Sequence, residues 1–134
     1  MSKKSLGFHV RLESTFDLAL EAVTAALMIE GFGVLTEIDV KATLKKKLDE
    51  DVKPYHILGA CNPPLAHKAL NIMPEIGLLL PCNVIVYQED DDLIHVSLID
   101  PIMMMDMTDS PELEPIADEA RERLERVAIA LQEG

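Results

Sequence analysis

The stretch from residue 83 to residue 99 constrains the fold most, because it contains two strand-like segments joined by a short turn. Residues 83–88 and 93–99 are rich in side chains that favour strands. Residues 89–92, which separate them, are acidic and suit a hairpin loop. Strands with so short a connection pair antiparallel, since parallel neighbours need a longer crossover. The sheet therefore cannot be wholly parallel, which favours an α+β fold.

Capping residues and hydrophobic periodicity supply the remaining elements. Three further strands are predicted over residues 7–12, 34–38 and 55–61. Helices are predicted after the N-caps Ser14, Asp39 and Asn62 and from Ser110 and Pro111 onward, with residues 100–107 as a loop. The order β-α-β-α-β-α-β-β-α describes a mainly antiparallel sheet packed with helices. No linker or repeat interrupts the 134 residues, so we expect a single domain over residues 1–134.

The first predicted helix is apolar around most of its circumference. Asp17, Glu21 and Thr24 form one narrow polar stripe, and almost every other side chain is apolar. Such a helix is buried on more than one side. We therefore expect it to contact the sheet and also a second element or a second copy of the chain.

Charge and composition argue against two classes of partner. The chain has 12 basic and 24 acidic residues, a net charge of −12. Three consecutive lysines, residues 45–47, form a local excess of basic residues, but on a helix they point in different directions. Aromatic residues for base stacking are scarce. We expect no binding to nucleic acid or to an anionic membrane.

The sequence also predicts the compartment. The longest apolar run, residues 76–80, is too short to span a membrane, and residues 1–14 lack the apolar core of a secretory signal. With two cysteines, Cys61 and Cys82, we expect free thiols in a reducing cytoplasm.

The segment HILGACNPPLAH, residues 56–67, holds the candidate site. Cys61 ends a predicted strand just before a helix, where the helix dipole favours a thiolate. His56 lies five positions earlier, on the opposite face of a regular strand, and His67 lies on the helix. A buried, inert Cys61 is the competing interpretation. The spacing of these residues and Cys82 matches no zinc-finger pattern, so no metal site is predicted.

Three other features have simpler interpretations. Met103 to Met107, including Met104, have three interpretations: adaptable core filler first, then a flexible apolar contact for a ligand or partner subunit. Soft-metal binding through thioethers comes third, because such sites normally add a cysteine or histidine in the same short segment. Glu37 is expected to face solvent, with a carboxylate beside a cleft as the alternative. His95 is expected to be a half-buried packing residue on a strand face that it shares with Ser97.

Three segments carry a family resemblance: GFGVLTEIDVKATLKKKL (residues 31–48), YHILGACNPPLAHKAL (55–70) and PEIGLLLPCNVIVY (74–87). They resemble the prokaryotic domain-of-unknown-function family 302. The resemblance implies a compact α+β fold of the TATA-binding-protein-like class and a homodimer. It implies no DNA binding, because one fold hosts unrelated functions, and it supplies no activity, ligand or cofactor.

Two function hypotheses follow, and the residues leave open whether the protein is an enzyme. The first is a non-enzymatic small-molecule-binding or sensing protein, with a cleft lined by Cys61, Asn62, His67 and Met104. The N–H groups that open the helix would hold an anionic group, and Ile57 and Leu58 would supply apolar walls.

The alternative hypothesis is a thiol-dependent redox or transfer enzyme. Cys61 would be the nucleophile, His56 or His67 the base, and Cys82 the resolving thiol. The apolar residues before Cys61 oppose this function, because burial raises a thiol pKa and blocks access.

Overall fold

The computed structural model describes residues 5–134, which form one five-stranded antiparallel sheet with helices packed against it. The strands are β1 (Gly7–Glu13), β2 (Gly33–Asp39), β3 (Tyr55–Cys61), β4 (Cys82–Asp90) and β5 (Leu93–Ile99). The helices are α1 (Phe16–Ile29), α2 (Val40–Leu48), α3 (Pro63–Ile72), α4 (Ile102–Met107) and α5 (Glu114–Glu133). Short 3₁₀ turns cover Pro74–Leu79 and Pro111–Leu113. The predicted α+β class and element order are confirmed.

The strands lie in the order β1-β5-β4-β3-β2. The hairpin of β4 and β5 is confirmed, but its turn is shorter than predicted. Glu89 and Asp90 belong to β4, and Asp91 and Asp92 alone form the turn, with Asp92 in the left-handed region at φ 63°. The hairpin therefore occupies the centre of the sheet and carries β1 on one side and β3 on the other.

Two other predictions about the helices are corrected. Thr15 rather than Ser14 caps α1, and its hydroxyl accepts the N–H of Leu18 at 3.3 Å. Residues 102–107, predicted as part of a loop, form α4, whose first N–H bonds to the Asp100 carboxylate at 3.1 Å. Within the described residues, no helix is both long and apolar enough to cross a membrane.

The main core lies between one face of the sheet and the helices α1 and α5. Alternate strand residues such as Val10, Val86 and Val96 point into it and are almost wholly buried. The opposite face, which we call the open face, carries side chains that remain half-buried or exposed. Its residues include His9, Arg11, Ile57, Ile85, Tyr87, His95 and Ser97.

Helix α1 is buried on one side only within this chain. Ala19, Val23, Ala26 and Leu27 face the core. Leu18, Met28 and Ile29 remain 59%, 67% and 80% exposed. The second contact predicted for this helix is therefore not supplied by the residues that the structure describes.

Candidate functional site

An apolar cavity of about 300 Å³ lies where β3 and β4 meet α3, α4 and α5. Its walls combine the strand ends with one side of α3, the first two turns of α5 and Met104 of α4. Residues that line it include Cys61, Asn62, Leu65, Cys82, Met104 and Ala117. We call this space the apolar cavity. Three of the four predicted ligand-binding residues, Cys61, Asn62 and Met104, meet there.

Small side chains create the space. Ala60 comes from β3, Ala66 and Ala69 from α3, and Ala117 and Ala120 from α5. Larger side chains at these positions would fill a gap of this kind, because protein interiors otherwise pack closely. The cavity is thus a consequence of alanine on three facing elements.

The start of α3 offers no free hydrogen-bond donor to the cavity. Pro63 and Pro64 have no N–H, the N–H of Leu65 bonds to Asn62 Oδ1 at 3.3 Å, and the N–H of Ala66 bonds to the Asn62 carbonyl at 2.9 Å. The predicted anion site at this helix start is therefore corrected: residues 63–66 have no N–H left for a ligand.

Both thiols are free and both line the cavity. Burial, together with a smaller effect of the nearby Cys61, raises the pKa of Cys82 to about 11. Cys82 therefore remains a protonated thiol at neutral pH. A resolving cysteine needs access to thiolate character, so this environment opposes that role.

Neither candidate base accompanies Cys61. The His56 ring lies 2.5 Å (Nδ1) from Glu37 Oε2 and 3.5 Å (Nε2) from Asp39 Oδ2. As predicted from the odd spacing, His56 and Cys61 point to opposite faces, since β3 pairs regularly with β4 and the bulge lies in β2. His67 is exposed, 3.4 Å from Asn71 Nδ2, and does not line the cavity.

The side chains predicted to form the apolar walls of the ligand cleft differ from those that line the apolar cavity. Neither Ile57 nor Leu58 lines the cavity, because Leu58 points into the main core and Ile57 lies on the open face. Glu37, predicted to face solvent, is half exposed but holds His56. Among residues 5–134, no group of three or more His, Cys, Asp or Glu is arranged to hold a metal ion.

Comparisons with known proteins identify the family to which the chain belongs. The family described as "Domain of unknown function DUF302" matches residues 8–131. The chain belongs to this family. The crystal structure of an uncharacterized conserved DUF302 protein from Bacillus stearothermophilus is similar, with a TM-score of 0.86 and 29% identity over 96% of this chain and 99% of that one. A comparison with curated proteins found no match.

The open face of this DUF302 chain carries a second polar cluster that the sequence did not reveal. Ser97 Oγ lies 2.9 Å from His95 Nε2, and His95 Nδ1 lies 3.3 Å from Glu89 Oε1. His9 Nδ1 lies 2.7 Å from the same Ser97 oxygen, and Arg11 Nε donates to Glu89 Oε1 at 2.8 Å. Alternation along β5 placed His95 beside Ser97, but the other partners come from β1 and β4. Only the strand order and register bring them together.

Proposed function

We propose that this protein binds a small, mainly apolar molecule in the apolar cavity. The observation that carries the proposal is the size and lining of that cavity. Its volume of about 300 Å³ is roughly ten times the ~30 Å³ that one water molecule occupies in the liquid. Small-molecule sites begin at about this size and are lined mainly by apolar side chains with a few polar groups. Here Asn62 is the polar lining residue.

The chemistry of the lining favours an uncharged ligand body. Asn62 already accepts from Leu65 and donates to the Glu30 carbonyl at 3.4 Å. A charged group inside the cavity would lose its hydration without gaining a partner, which is costly. Leu35 and Leu70 line the cavity yet are 69% and 40% exposed, so they form an apolar rim. A polar end of the ligand would remain at this rim, in contact with water.

The alternative function, thiol chemistry at Cys61, has less support. His56 is held by Glu37 and Asp39, and His67 is exposed on α3. Without a nearby base, Cys61 serves better as part of an apolar wall. Free thiols at Cys61 and Cys82 fit a reducing compartment, and we propose the cytoplasm on that basis.

Competition between matched ligands tests the proposal. The uncharged fluorescent probe N-phenyl-1-naphthylamine should bind and should be displaced by 1-octanol at lower concentration than by octanoate, which has the same chain length. Ala66→Leu fills the cavity and should weaken probe binding at least tenfold. Ala130→Leu, on the exposed side of α5, is the matched control and should bind as the wild type does.

Two results would contradict this function. One is the absence of probe binding by the wild type. The other is equal binding by Ala66→Leu and Ala130→Leu, which would place the probe elsewhere on the surface. Native mass spectrometry of freshly purified protein adds an independent measurement, because a retained neutral molecule would identify the ligand class directly.

We further propose a homodimer that pairs through α1. Leu18, Ala22, Ala25 and Ile29 repeat at spacings of four, three and four residues along the exposed side of this helix, the period of a coiled-coil seam. In an antiparallel two-fold pair, Leu18 of one copy faces Ile29 of the other, and the small alanines meet at the centre. The alanines then let the two helices approach closely at the centre, and the larger side chains close the two ends of the seam.

Charges at the two ends of α1 support the same arrangement. Asp17 and Glu21 are exposed near its start, whereas Arg126 lies beside its end, where it bonds to Glu30 at 2.9 Å and remains half exposed. Antiparallel pairing brings the acidic end of one copy towards the Arg126 end of the other. A parallel pair would place like charges together instead.

A further inference from the structure

The open face holds a hydrogen-bonded chain of three side chains, which we call the relay. It lies apart from the apolar cavity and points to a second function, separate from ligand binding there. Its connected atoms are Ser97 Oγ, His95 Nε2, His95 Nδ1 and Glu89 Oε1, with separations of 2.9 Å and 3.3 Å across the two contacts. No residue that lines the apolar cavity belongs to this relay. The order hydroxyl, imidazole, carboxylate is the one that activates a serine nucleophile. We propose that Ser97 is the nucleophile of an ester-hydrolysing site on the open face.

The register of three strands builds this relay. His95 and Ser97 are two positions apart on β5, so they point to the same face. β1 pairs with β5 so that His9 lies opposite Ser97 and Arg11 opposite His95. Glu89 comes from the end of β4, on the other side of β5. The five side chains therefore converge on one surface.

The partners determine where the protons lie. A carboxylate only accepts hydrogen bonds, so His95 carries its proton on Nδ1 and donates it to Glu89. Nε2 of the neutral ring is then free to accept the Ser97 hydroxyl proton. The hydrogen bond from Arg11 lowers the pKa of Glu89, and the one from His95 adds to this effect, so that the carboxylate is ionised at neutral pH.

His9 supplies a donor beside the reacting oxygen. Ser5 Oγ donates to the Gly7 carbonyl at 2.8 Å and lies 2.6 Å from His9 Nε2, so Nε2 of His9 is the donor in that contact. With the Ser97 proton directed to His95, His9 donates from Nδ1 to Ser97 Oγ across the 2.7 Å contact in its imidazolium form, which carries an N–H on both nitrogens. The same N–H can donate to the oxyanion of an adduct at Ser97. Donors aimed at developing negative charge are a large part of acyl-transfer catalysis.

The site is open to substrate. The side chain of His95 is 14% exposed and Ser97 is half-buried. They line a wide depression of about 650 Å³ together with Ile85, Tyr87 and the cationic side chain of Arg11. Tyr87 stacks on His95 with ring centroids 4.8 Å apart and fixes the imidazole plane. So shallow a site suits small esters whose acyl group is short.

The reaction balances without a cofactor. Ser97 Oγ bonds to the carbonyl carbon of the ester while its proton passes to His95 Nε2, and the carbonyl electron pair becomes the oxyanion held by His9. Collapse of this adduct breaks the bond to the alcohol oxygen, which leaves with the proton from His95. Water then attacks the acyl carbon, gives a proton to His95, and Ser97 regains that proton as the acid departs.

A serine-directed probe tests the proposal. An alkyl fluorophosphonate should label the wild type on Ser97, identified by peptide mapping, and 4-nitrophenyl acetate should be hydrolysed. Ser97→Ala should abolish labelling, and His95→Gln should slow it by roughly 100-fold or more, the usual contribution of a general base. Ser14→Ala removes a hydroxyl outside the relay and should label as the wild type does.

Two results would contradict a nucleophilic Ser97. No label on Ser97 in the folded wild type, or equal labelling rates for wild type and His95→Gln, would overturn the proposal. Thermal unfolding of each variant is followed in parallel, since loss of labelling counts only in a folded protein. If Ser97→Ala fails to fold, the site of labelling in the wild type and the rate with His95→Gln still decide the question.

Discussion

Asn62 joins the start of α3 to the end of α1 through the backbone carbonyl of Glu30. Its Nδ2 atom donates to that carbonyl at 3.4 Å, while its Oδ1 atom caps α3 by accepting the N–H of Leu65 at 3.3 Å. The side chain is buried, and it lines the apolar cavity. One amide therefore satisfies two backbone groups and holds the wall of the proposed binding site.

Asn62→Ala should lower the free energy of unfolding by about 2 kcal/mol, because it removes a buried helix cap and one of two donors to the Glu30 carbonyl, which keeps the hydrogen bond from Arg123 Nη1 at 3.1 Å. Thr15→Ala is the matched control: Thr15 caps α1 with the same 3.3 Å separation but is exposed. Thr15→Ala should lower the free energy of unfolding by about 1 kcal/mol. Urea unfolding measures both, and equal losses would show that the link to Glu30 contributes nothing.

The sequence predicted the elements that local chemistry determines. Asp39 and Asn62 were predicted as N-caps, and both accept an N–H from the first turn of their helix. β3 has the predicted bounds, Tyr55–Cys61, and α3 begins directly after its predicted cap and covers Pro63–Ile72. In these segments the capping residue, the proline and the apolar run all indicate the same structure, so no distant contact is needed to define it.

Distant contacts explain what the sequence did not predict. Helix α4 depends on Asp100, whose carboxylate accepts the first N–H of the helix. The same carboxylate accepts a hydrogen bond at 3.1 Å from Nε of Arg121, a residue of α5. The Ser97 relay depends on side chains from β1 and β4. The space of the apolar cavity depends on alanines from separate elements. Each feature requires the strand order or the helix packing, which periodicity alone does not define.

Gly59→Ala should destabilise the protein by about 1–3 kcal/mol, the usual cost of overpacking. A Cβ atom at this position would overlap Thr36 Oγ1 and would lie 2.7 Å from Pro81 Cγ. Gly33→Ala, in the neighbouring strand β2, is the control, because a Cβ there meets nothing within 4 Å. Its effect should stay within about 0.5 kcal/mol. Equal stability of the two variants in urea would refute this packing argument.

Cys82 should make stability decrease at high pH. Its pKa is raised by burial from 9.0 to about 11 in the folded protein, so the unfolded chain loses this proton first as the pH rises. Between these values the unfolded state binds fewer protons, and the free energy of unfolding therefore falls with pH. The thiol's contribution is complete below pH 9 and is lost by about pH 11.

Comparison with Cys82→Ala isolates this effect from other groups that titrate at high pH. The difference in unfolding free energy between wild type and variant should shift by about 2–3 kcal/mol against the wild type between pH 8 and pH 11. Urea unfolding at several pH values measures it. A difference that stays constant over this range would mean that the folded protein does not perturb the thiol.

Ile29→Lys should convert the proposed homodimer into a monomer. Ile29 is 80% exposed in the single chain and lies at the end of the apolar seam, where pairing would bury it against Leu18 of the other copy. A lysine there would replace the apolar contact with Leu18 by a charge that loses hydration inside the seam. Leu78→Lys is the matched control, because Leu78 is 83% exposed on the Pro74–Leu79 turn, away from α1.

Sedimentation equilibrium at micromolar concentration should show dimers for the wild type and Leu78→Lys and monomers for Ile29→Lys. A monomeric wild type would refute the homodimer, whereas an Ile29→Lys variant that remains dimeric would move the interface away from α1.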